Sequence, residues 1–158
     1  MLRHAHESAV AFLALTLAIN SANATEGVTV KDYLLRMQLL STEPLINHCR
    51  VNAPETAEAV QAGYKNYMSA FDIASKRWLL TLGPAASTMA PPSSEQFLKE
   101  LPTQVLDGIK QYDPAKYCTW LANRLSSITP EGLQKILHDA YARYEAMGRE
   151  QKSQPKAK

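Results

Sequence analysis

The chain has 158 residues, 46% hydrophobic and 20% charged, with a formal net charge of +2. That length suits one domain able to bury a real core. Four bases and one acid fall in the last ten residues, Arg149 to Lys158, so the rest of the chain is slightly acidic and lacks the electrostatic footprint of a nucleic-acid binder.

Residues 1–24 have the layout of a signal peptide. Arg3 gives a weakly positive start, and Ala9 to Ile19 forms an apolar run too short to span a bilayer. Ser21-Ala22-Asn23-Ala24 then supplies small residues in the pattern that signal peptidases read, with cleavage expected after Ala24. The chain is therefore expected to be exported, to the periplasm or the extracellular space. No later run is long enough to make it an integral membrane protein.

Residues 25–148 read as a helical domain. Thr29 and Asp32 mark the start of a first helix in a capping-box-like pattern, with Val30, Tyr33, Leu34, Met37 and Leu40 as its apolar face. Ser41 to Pro44 is expected to interrupt it, and Pro44 to open a short second turn carrying Leu45, Ile46 and Cys49 inward. The stretch from Pro54 to Leu82 is the central helix. Its apolar series Val60, Tyr64, Tyr67, Met68, Phe71, Ala74, Trp78, Leu79 and Leu82 keeps steps of three and four. Pro54 suits the first helical position, and Gly83-Pro84 ends the run.

Gly83 to Ser93 is a proline-rich loop without charge. Ser93 and Gln96 predict the next helix start, and the apolar phase from Phe97 to Tyr112 is kept across Pro102, which predicts one kinked helix. Asp113-Pro114 and Thr129-Pro130 repeat one start signal, a capping side chain before a first-position proline. They open a helix with Tyr117, Cys118, Leu121, Leu125 and Ile128 inward. A last helix runs to about Met147 and presents Leu133, Ile136, Leu137, Ala140, Tyr141 and Tyr144. No stretch alternates as a strand does. Residues 149–158 are expected to be a basic, disordered tail.

Cys49 and Cys118 are the only cysteines. Two thiols in an exported chain are expected to form one disulfide, closing a loop of about 70 residues. The bond would tie the amino-terminal helix to the one beginning at Pro114; the sequence does not place Trp78 and Trp120 relative to that junction.

Few residues suggest catalysis. His48 adjoins Cys49, but neighbours on a helix diverge by about 100° and do not pair well. Beyond residue 24 the histidines are His48 and His138 alone, and no metal-ligand spacing occurs. Glu55 and Glu58 sit three apart, although a helix start attracts carboxylates through its dipole. The aromatic set is richer. Tyr64, Tyr67, Tyr141 and Tyr144, with Trp78 beside Arg77, are candidate binding residues, weighed against a role as the rim of a small core.

The sequence thus predicts an all-α, single-domain bundle of about five helices with one disulfide, following a cleaved signal peptide. Its function reads as non-enzymatic binding, as an inhibitor or adaptor, with another protein or a small apolar ligand as partner and no cofactor. The rivals are a helical carrier lined by Tyr64, Met68 and Tyr141, and a small enzyme using His48, His138 or Glu55 and Glu58.

Overall fold

A computed structural model describes residues 28–153 apart from 88 and 92; the expected signal peptide lies outside them. The described chain is all-α, with five helices: α1 (Val30–Asn52), α2 (Ala57–Leu79), α3 (Ser93–Ile109), α4 (Pro114–Ser126) and α5 (Pro130–Ser153). Short 3-10 turns at Pro54–Thr56 and Pro84–Ser87 flank α2. No strand occurs among the described residues; one isolated antiparallel bridge pairs Thr29 with Met89.

The expected start signals work as local chemistry. The Asp32 backbone N–H donates to Thr29 Oγ1 at 3.3 Å. Lys116 N–H donates to Asp113 Oδ1 at 2.9 Å, and Gly132 N–H to Thr129 Oγ1 at 3.1 Å. Each satisfies a donor that the first helical turn leaves without a partner.

Three boundaries differ from the sequence reading. Pro44 does not interrupt the first helix, which runs unbroken from Val30 to Asn52. An interior proline costs about 3 kcal/mol of helix propensity. Here α1 packs on α3 and also on α2, α4 and α5, and that packing outweighs the cost. The central segment begins as a 3-10 turn at Pro54–Thr56 and becomes α-helical only at Ala57, ending at Leu79 rather than Leu82. The last helix continues past Met147 to Ser153, into the basic segment that was expected to be disordered. The Gln96 side chain donates to Glu100, one turn ahead.

The core has two centres. One gathers Cys49, Val60, Tyr67, Phe71, Ala74, Cys118, Leu121, Leu125 and Leu133 at the packing of α2 on α1, α4 and α5. The other joins Val30, Leu34, Trp78 and Leu137, with Tyr33, Tyr141 and Tyr144 packed around them. Leu79 and Ile136, both expected inward, are 39% exposed. They fall at the flank of their helical stripes, where cover is only partial. The proline-rich loop is tied down: Ala86 and Ala90 are buried, and Ala90 N–H donates to the Val28 carbonyl at 2.8 Å. Helix α3 packs on α1 alone among the described elements.

Gly63 sets the distance between α2 and α4. A Cβ there would lie 2.8 Å from the Ala122 carbonyl oxygen, 3.0 Å from Leu125 Cβ and 3.1 Å from Ser126 Oγ. One turn further on, the Asn66 amide donates to the carbonyls of Leu125, Ser126 and Ile128 at 2.9, 3.2 and 3.1 Å. These carbonyls lie at and just beyond the end of α4, where in-helix donors run out, so Asn66 caps one helix from another. Gly63→Ala is therefore expected to destabilise the protein by about 1–3 kcal/mol through overpacking, against the gain of about 1 kcal/mol that Gly→Ala brings in an open helix. Gly108 in α3 has nothing within 4 Å of such a Cβ, and Gly108→Ala is expected to show that gain. Urea unfolding of the two variants checks the opposite signs.

Candidate functional site

The residues singled out from sequence separate into core and surface. Trp78 is 0% exposed and Tyr67 is 3% exposed. Trp78 meets Tyr141 edge-on with ring centroids 6.3 Å apart, and Tyr144 packs against Tyr33 at 6.4 Å. Tyr64 stacks on Tyr67 at 6.2 Å, and Tyr67 on Phe71 at 6.0 Å. The Tyr67 hydroxyl donates to the Gln38 carbonyl at 3.2 Å. These rings are the packing of the bundle. Arg77 is exposed and pairs with Glu131 of α5 at 2.9 Å; Glu131 is held below the usual carboxylate range by its own backbone N–H and then by Arg77.

The acid–base candidates do not gather. His48 lies on α1 with Nδ1 3.2 Å from Asn52 Nδ2, while His138 lies on α5 with Nε2 3.4 Å from Thr81 Oγ1. Glu55 and Glu58 are exposed where the 3-10 turn passes into α2. Among the described residues no three His, Cys, Asp or Glu side chains form a metal-holding group. Burial raises the phenols of Tyr33, Tyr67 and Tyr117, and pushes Tyr64 up to about 12 with help from Glu43. These phenols stay neutral near pH 7 and offer no phenolate base. Tyr64 and Met68 pack on the first core centre and Tyr141 on the second, so the three do not line one cavity.

The disulfide joins Cys49, in the last turn of α1, to Cys118 in α4, with Cα atoms 5.5 Å apart. Both cysteines are fully buried. Trp78 belongs to the other core centre. Trp120 does lie here, two residues past Cys118, but it faces outward.

That outward face is what the sequence reading missed. Trp120 is 57% exposed and Tyr112 55% exposed, the largest rings so placed among the described residues. Tyr112 stacks on Tyr117 at 6.1 Å, and Tyr117 leans against Trp120 at 5.6 Å. The row is braced ring against ring, over a helix anchored by a disulfide. Beside it lies a shallow, open hollow on the surface of α4, lined by Ala115, Lys116, Thr119, Trp120 and Asn123. A second hollow of about 420 Å³, between α1 and α3, is lined by Arg36, Leu40, Glu95, Leu98, Lys99 and Pro102. The sequence did carry a signal for the first: Trp120 breaks the inward series Cys118, Leu121, Leu125. A large ring out of phase with its helix's apolar stripe faces solvent. No protein-family model, curated protein or solved structure matches the chain.

Proposed function

We propose that this protein is an exported, non-enzymatic binding module that engages its partner through the outer face of α4. The single observation that carries the reading is Trp120, a tryptophan 57% exposed on the outer face of α4 and braced by Tyr117. Exposing an indole to water is unfavourable by its apolar area, and tryptophan and tyrosine are the side chains that dominate binding hot spots. The Cys49–Cys118 bond supports export, since such bonds persist in oxidising compartments. No helix among the described residues is long and apolar enough to cross a membrane.

The test uses protein isolated from the producing cell, with its amino terminus sequenced. A start at Thr25 is expected, and Met1 retained on stable protein argues against export. The wild-type chain and Trp120→Ala are then used as baits in an envelope or culture extract. Material retained by the first and lost by the second is the expected result. Identical retention by both baits removes the α4 face from the reading.

A further inference from the structure

We propose that the α4 face binds an acidic polysaccharide, with a sugar ring seated on Trp120 and its anionic groups held by Lys116 and Arg124. This deepens, and rests on, the reading of α4 as the binding face. Positions 116, 120 and 124 are successive i, i+4 neighbours and form one stripe along the helix. The two cations stand about 12 Å apart along the axis, at 1.5 Å rise per residue, with the indole between them. Both are exposed, and neither enters an ion pair among the described residues.

The chemistry around the stripe selects the occupant. Helix α4 contains no Asp or Glu from Pro114 to Ser126. The carboxylate at its start, Asp113, is occupied in accepting the Lys116 backbone N–H. The face is thus a cationic strip, complementary to an anion. Asn123 presents an amide with no hydrogen-bond partner among the described residues. Thr119 donates its hydroxyl to the Ala115 carbonyl, leaving its oxygen to accept. A flat apolar ring edged by donors and acceptors matches a pyranose, whose C–H face is apolar and whose rim is hydroxyls. The size of the patch argues against a folded protein. A stable protein interface covers about 800 Å² on each partner, whereas the exposed rings here are two, each of at most about 250 Å².

The test measures retention on beads carrying polygalacturonate or heparin, with dextran as the neutral polymer and polyglutamate as an acidic chain without sugar rings. Wild-type protein is expected to be held on at least one of the two acidic polysaccharides, in preference to both controls, and released as salt rises. Trp120→Ala is expected to weaken retention about tenfold, the weight of one good aromatic contact. Lys116→Gln and Arg124→Gln are expected to weaken it and to flatten its salt dependence. All variants keep the basic carboxy-terminal segment, so its own pull on polyanions cancels. Circular dichroism confirms that each variant is folded. Acrylamide quenching supplies a second readout: of the two tryptophans only Trp120 is reachable, and bound polysaccharide should protect it. Equal retention on polyglutamate and on the polysaccharides, or no loss in Trp120→Ala, overturns the proposal. If both polysaccharides fail while extract capture still depends on Trp120, the ligand class falls and the binding face stands. If Trp120→Ala changes neither measurement, both fall.

Discussion

Trp78→Ala is expected to cost about 3–5 kcal/mol, the range for truncating a buried large aromatic side chain. Trp78 is 0% exposed and lies among Val30, Leu34 and Leu137, so α1 and α5 both lose contact with it at once. Tyr141 would lose its edge-on partner. Backbone atoms of α1 and α5 cannot close such a void without breaking their own ladders, and the cavity term is retained. The indole N–H has no protein hydrogen-bond partner. The loss is therefore one of packing, and Trp78→Phe, which keeps a ring and removes an unpaired donor, is expected to cost less than Trp78→Ala. Lys65 and Ser69 are exposed on the same helix, and changing either to Ala should alter stability by no more than about 0.5 kcal/mol. Urea unfolding followed by circular dichroism measures all four. Equal losses from Trp78→Ala and Lys65→Ala would show that the inward face of α2 is misplaced.

The second large effect concerns the disulfide. Cys49 and Cys118 are separated by 69 positions, and the loop-closure relation gives on the order of 4 kcal/mol for a crosslink of that span. Against a usual total of about 5–15 kcal/mol, this is a large share. Replacing both cysteines with Ala is expected to lower the urea midpoint strongly while leaving the helical spectrum of the folded protein intact. The second core centre and most of the first are built from other side chains, among them Val30, Leu34, Val60, Phe71, Trp78, Leu133 and Leu137. Single replacements are less clean, since each leaves a free thiol in a fully buried site. A double variant with an unchanged midpoint would mean that the unfolded chain is already compact around the crosslink. The same variant also bears on α4: loosening the helix beneath Trp120 is expected to weaken binding at that face more than it alters helix content.

Much of this architecture is legible in the residues. Helix starts at Thr29, Asp113 and Thr129 are local events, decided by one side chain and a backbone N–H three residues on. The 3.6-residue spacing of Val60, Tyr67, Phe71, Ala74 and Trp78 fixes which side of α2 is covered, because each position's facing follows from helix geometry alone. Two cysteines permit a single intramolecular pairing, so their bond needs no structure to name it.

Tertiary structure decided the rest, wherever two competing terms are close in size and one of them is non-local. Pro44 stays inside a helix because the packing of α1 on its neighbours exceeds a local penalty that the sequence displays without its counterweight. Gly63 looks like a weakness in α2 until the Ala122 carbonyl of α4 is seen 2.8 Å from where a side chain would begin. Aromatic residues are ambiguous in sequence, since a ring serves a core or a surface equally well. Trp78 and Tyr67 went to the core, and Trp120 and Tyr112 were left in water. By itself the sequence determined an all-α chain, its inward stripes and its crosslink, which rest on the helical period, on capping chemistry and on a count of thiols. Only the packed structure decided which stripes are fully covered and which aromatic face remains open, because coverage depends on where the other helices lie.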